Sequence, residues 1–155
     1  MKKVLIGVDY NPRSEKVVRE GYALAKKLGA KVSLIHVLAD VSYYGVNYPN
    51  FMGYEGYNEM QVDLNVISEL REVARKFLES AALHLEDPEV TTYLAEGPTA
   101  LSILEYADDW HADLIVMGTH SHSVLEKVLM GTTASRILER TKIPVYLIPV
   151  KDATP

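Results

Sequence analysis

Five short apolar runs, spaced by segments of helical periodicity, constrain most tightly what this chain can fold into. The runs are residues 4–8, 32–38, 90–94, 113–117 and 145–148. The first is nearly continuous in apolar residues, the pattern of a strand buried on both faces of a parallel sheet. Between the runs, Val17, Val18, Gly21, Tyr22, Ala25 and Leu28 recur at helical spacing, as do Val62, Val66, Leu70, Val73, Phe77 and Ala81. Leu101, Ile103, Leu104 and Ala107 follow the same rule, and so do Ala134, Ile137 and Leu138. The resulting order, β-α-β-α-β-α-β-α-β, predicts an α/β fold: a five-stranded parallel sheet with helices on both faces.

Local chemistry refines the ends of these elements. Asn11, or Ser14 a turn later, is expected to cap the first helix, with Pro12 in its first turn. Gly29 is expected to stop it. The third strand is richer in Thr and Tyr and is expected at a less buried position. The fifth is expected to close at Pro149. Residues 41–58 are dense in Tyr, Gly and Asn without a period and read as a long loop: a flap over a ligand, a partner surface, or an insertion packed on itself. The charged residues Glu69, Arg71, Glu72, Arg75 and Lys76 read as the solvated side of a long helix over 60–83.

With 155 residues, the chain is read as a single domain over 1–150 with a short polar tail, 151–155. A net charge of −5 argues against a duplex-DNA binder, and no nucleic-acid partner is expected. There is no cysteine, so disulfides, thiolate metal sites and a Cys nucleophile are excluded. The N-terminal residues lack the apolar stretch of a signal peptide, and no run approaches a membrane span. The chain is therefore read as cytoplasmic, with no membrane partner.

Residues 113–133 carry the most specific chemical signal. An apolar run ends at Gly118, a loop follows, and Gly131-Thr132-Thr133 opens a helical pattern. Strand, glycine, loop, glycine, hydroxyls and helix can form an anion cradle, because glycine admits a close backbone approach and helix-start N–H groups point at the anion. The same letters also make an ordinary strand-to-helix connection. Asp9 and Gly118 both end strands, so they would face each other across one crevice if strands one and four are neighbours. Gly131-Thr132-Thr133 is not a Walker A motif, and no G-x-G-x-x-G follows the first strand. His120 and His122 lack a clear third ligand, so no metal site is assigned. Lys127 reads as a surface residue. Glu105, Asp108 and Asp109 read as the polar end of a helix, and no catalytic residue is assigned.

The chain resembles the universal stress protein family over nearly its whole length. The resemblance rests on V-L-I-G-V-D at 4–9, S-L-I-H-V at 33–37, A-E-G-P at 95–98, A-D-L-I-V-M-G-T-H at 112–120, G-T-T-A at 131–134 and I-P-V-Y-L-I at 143–148. Nucleotide-binding members carry glycine, two residues, glycine, nine residues, then glycine with Ser or Thr. Here the markers are Gly118, Ser121, Gly131 and Thr132, with Ser121 in place of the second glycine. Serine is small and its hydroxyl can bond a phosphate, though it tolerates positive φ less freely.

The resemblance implies a Rossmann-like sheet and binding of ATP or another adenine nucleotide, with Mg²⁺ or Mn²⁺ accompanying a triphosphate. It implies that Asp9 accepts from the ribose or adenine side and that Val37 packs on adenine. Gly118, Ser121, Gly131, Thr132 and Thr133 would hold ribose and phosphates. It also implies an antiparallel homodimer through the apolar strand at 145–150, which would hide an exposed sheet edge. Three functions stay open at this stage. They are a nucleotide-binding regulator in stress response, a module of the same fold acting through protein contacts without nucleotide, and a slow ATPase.

Overall fold

The computed structural model describes residues 1–38, 56–120 and 132–150, and the side chains of 1–38, 65–119 and 133–150. The elements are β1 (Lys3–Gly7), α1 (Ser14–Lys27), β2 (Lys31–Leu38), α2 (Gly56–Leu83), β3 (Thr91–Glu96), α3 (Thr99–Trp110), β4 (Leu114–His120), α4 (Thr132–Arg140) and β5 (Val145–Val150). All pairings are parallel, in the order β3-β2-β1-β4-β5. The alternation read from the sequence is thus the fold observed.

The apolar runs are continuous because the inner strands bury both faces. Val4, Ile6, Leu34 and Val116 pack under α1 and α2, together with Val17, Val18, Ala25 and Leu78. Leu5, Ile35, Ile115 and Met117 pack on the opposite face against α3 and α4, through Ala100, Ile103, Ala107, Ala134 and Ile137. The edge strand β3 leaves Thr91, Thr92 and Tyr93 exposed, as its composition predicts.

Several element ends differ from the expectation. Neither Asn11 nor Ser14 caps α1. The Asn11 side chain instead accepts the Arg13 N–H at 3.0 Å, and Ser14 Oγ accepts the Asp9 N–H at 2.9 Å, so both side chains serve the turn before the helix. Gly29 does end α1. It takes φ +66°, and the Ala30 N–H reaches the Ala25 carbonyl at 2.9 Å while the Gly29 N–H reaches Lys26 at 3.1 Å, a paired closure of the last turn.

The buried stripe of α2 is rotated from the one expected. Ile67, Ala74 and Leu78 are buried, whereas Val73 is 57% exposed. Val73 lies about 100° around the helix from Ala74, outside the arc that meets the sheet. Leu101 and Leu138 are likewise exposed on their helices. α2 begins at Gly56, so residues 56–58 belong to it and not to a loop; residues 41–55, the rest of the expected flap, lie outside the described residues.

β5 runs through Pro149 to Val150 rather than closing at the proline. The Pro144 carbonyl accepts from Ile115 and the Val150 N–H points at Thr119. Alternation then turns the Pro149 nitrogen to the outer edge, where its missing N–H costs the sheet no bond.

Candidate functional site

Strands β2 and β3 lie on one side of β1, and β4 and β5 on the other. The chain's progress across the sheet therefore reverses between β1 and β4, and a crevice opens beyond the carboxyl ends of the strands there. The condition that would bring Asp9 and Gly118 together is met: β1 pairs with β4 through Val4–Leu114, Leu5–Ile115 and Ile6–Val116.

A cavity of about 360 Å³ fills this crevice. Its walls include Asp9 from the β1–α1 turn, Val37 near the end of β2, Gly118 in β4 and Thr133 in the first turn of α4. Four of the sequence-assigned residues thus meet from four separate segments. Ser121 and Gly131 lie outside the described residues, as do His122 and Lys127. Thr132 starts α4, but its side chain, like that of His120, is outside the described set. Ile35, Ile103 and Met117 join Val37 to make an apolar slot. Arg13, Ser14 and Thr99 add polar groups. Sequence reasoning assigned none of these six to the site. The helix-start position of Thr99 after β3 was a readable signal for it, whereas Arg13 becomes a wall residue only once α1 is docked.

The turn presenting Asp9 is pinned on three sides. Asp9 Oδ1 accepts the Asn11 N–H at 2.9 Å, and the Asp9 N–H donates to Ser14 Oγ. The Val8 carbonyl lies 2.7 Å from His36 Nδ1. A carbonyl can only accept, so Nδ1 carries a proton. Nε2 is buried with no hydrogen-bond partner among the described residues. His36 is a buried residue of β2, satisfied at Nδ1 only. Tyr10 and Phe77 enclose it, with ring centroids 4.6 and 5.5 Å away. Desolvation in this cluster raises the Tyr10 phenol pKa.

Gly118 does more than line the cavity. A β-carbon there would stand 2.8 Å from Val17 Cγ2 and 2.9 Å from Val150 Cγ2. The glycine lets α1 and β5 close on β4, which is what shapes this end of the crevice.

The profile described as the universal stress protein family matches residues 1–149. The chain belongs to the universal stress protein family. Among relatives of that family, it is 28% identical to Universal stress protein A homolog 2 of Coxiella burnetii, over 97% of this chain and 96% of the relative. In fold it is similar to the hypothetical protein MJ0577, with a TM-score of 0.75, 22% identity and coverage of 99% and 98%. It is also similar in fold to a universal stress protein from Archaeoglobus fulgidus in complex with dAMP, at TM-score 0.59, 20% identity and coverage of 96% and 98%. A further universal stress protein, solved in complex with cAMP, superposes at TM-score 0.58 with 18% identity over 95% of each chain.

Proposed function

We propose that the crevice binds an adenine nucleotide, with ATP the expected ligand, and that binding serves regulation in a stress response. The observation carrying this reading is the single cavity that joins Asp9, Val37, Gly118 and Thr133 at the switch point of the sheet. Its volume lies in the range of small-molecule pockets. The apolar slot of Ile35, Val37, Ile103 and Met117 suits a flat base, and Asp9 would accept from a ribose hydroxyl or an adenine amine. Thr133, in the first turn of α4, suits a phosphate, with Ser121, Gly131 and Thr132 assigned beside it from the motif. The solved family members holding dAMP and cAMP support the ligand class.

Among the described residues no three His, Cys, Asp or Glu side chains group to hold a metal ion. A Mg²⁺ or Mn²⁺ ion would enter with the triphosphate, held largely by phosphate oxygens and water. Asp9 is the one carboxylate among the described wall residues, and its Oδ1 already accepts from Asn11. The reading therefore assigns no catalytic base and treats ATP as a switch ligand rather than a substrate.

The test is mass spectrometry of small molecules released from the purified protein, followed by calorimetric titration with ATP. Val37→Glu should abolish binding, because it places a carboxylate in the apolar slot, while Asp9→Ala should weaken it. Full ATP affinity in Val37→Glu would remove the base slot from this cavity. A wild-type protein that neither carries nor binds an adenine nucleotide would leave the family's protein-contact role as the function.

A further inference from the structure

The crevice does not end at Val150. A second depression, about 390 Å³, is lined by Arg13, Lys16, Pro149 and Val150. It shares Arg13 and Val150 with the main cavity, so these two residues stand between the two depressions. The order of the strands says which end of the crevice this is. Val37, in β2, marks one side of β1; Val150, in β5, lies two strands away on the other. A base against Val37 with its sugar near Asp9 would point its phosphates toward Thr133, Val150 and the Arg13 wall.

Arg13 is built into that wall. Its own N–H is held at 3.0 Å by Asn11 Oδ1, and it directly precedes Ser14, the first residue of α1. Its side chain is half-buried. It is the guanidinium among the described residues of the main cavity, as Asp9 is the carboxylate. One turn on, the Lys16 ammonium donates to the Pro149 carbonyl at 3.1 Å and pairs with Glu20 at 3.9 Å, so its charge is already partly offset. In a chain of net charge −5, Arg13 thus brings a guanidinium to the wall of the crevice where a phosphate tail would emerge.

We propose that Arg13 is a specificity-determining residue: its guanidinium engages the terminal phosphates of a nucleoside di- or triphosphate and sets a preference for these over a monophosphate or a free nucleoside. This deepens, and rests on, the nucleotide reading above. Arginine suits the task because it stays charged at any ordinary pH and presents a planar fork of donors to phosphate oxygens. Thr133, in the first turn of α4, lines the same cavity and adds a hydroxyl. Arg13 adds the charge, and reads the length of the tail rather than the presence of a nucleotide.

The experiment is calorimetric titration of wild type, Arg13→Gln and Arg13→Lys with ATP, AMP and adenosine, at two salt concentrations. Arg13→Gln is expected to weaken ATP by about tenfold or more, the worth of a charge-assisted hydrogen bond. Adenosine affinity should stay the same, and the salt dependence of ATP binding should fall. Arg13→Lys should recover part of the loss. An unchanged ATP affinity in Arg13→Gln, or equal losses for ATP, AMP and adenosine, overturns the assignment; equal losses would make the residue structural. Wild type binding none of the three would overturn the nucleotide reading itself, and the Arg13 assignment with it, an outcome distinct from either variant result.

Discussion

A single methyl group at position 118 would have to share space with two others. The β-carbon of Gly118→Ala would meet Val17 Cγ2 at 2.8 Å and Val150 Cγ2 at 2.9 Å, and neither valine has a flexible end to swing away. Overpacking of this kind costs about 1–3 kcal/mol. Gly118→Ala is therefore expected to lower the denaturant midpoint even without nucleotide, measured by urea unfolding. An unaltered midpoint with weakened ATP binding would instead make Gly118 purely a ligand-side glycine. The sequence marked this glycine by its place after an apolar run, and the structure adds the packing reason, which depends on β5 and α1 meeting there. His36 shows the complementary case: an apolar strand around a lone histidine makes its burial legible, while the Val8 carbonyl it binds lies on another strand's end. Arg13 carried no local mark at all, because its role follows from the side of the sheet on which α1 begins.

The starts of β1 and β4 are tied by one carboxylate. Asp113 Oδ2 accepts the N–H groups of Lys2 at 2.8 Å and Lys3 at 3.0 Å, and these bonds hold its pKa below the ordinary carboxylate value. A depressed folded-state pKa adds stability above the unfolded value, about 3.9 for Asp, and that stability is lost as pH falls through the lower folded value. Asp113→Ala should thus melt below wild type at pH 7, and the gap should narrow as the pH drops beneath the unfolded value. A gap that stays constant with pH would show that the carboxylate charge plays no part. The inner strands were legible because burial on both faces leaves few polar positions to interrupt them. The helices were legible as elements but less so in rotation, since several apolar residues, Val73 among them, fall just beyond the contacting arc of α2. Element ends were least legible: Pro149 looked like a stop, yet an edge strand can absorb a proline that an inner strand cannot.

At the scale of the molecule the sheet has two edges, β3 and β5. β3 shows hydroxyls to water, and Arg71 from α2 pairs with Glu96 at its end. β5 leaves Tyr146 45% exposed, with Val145 and Leu147 partly so. We propose the homodimer at this second edge. Tyr146→Asp should shift sedimentation from dimer toward monomer without loss of fold. Ile148, which is buried in its own core, is not a clean probe of the interface. A wild type that sediments as a monomer at all concentrations would exclude the pairing. No helix among the described residues is long and apolar enough to cross a membrane. The sequence periodicity alone left the order of the strands open, since many right-handed windings share one alternation; only the paired register decides it. That order has a consequence for synthesis. β1 is the centre of the sheet, and its second neighbour, β4, begins at Leu114. On a ribosome adding about 5–20 residues per second, the far edge of β1 waits on the order of several seconds or more for its mate. The wall at Val150 comes later still. The crevice is thus the last part of this sheet to be made, and whatever binds there tells a chain translated through β5 from one still emerging.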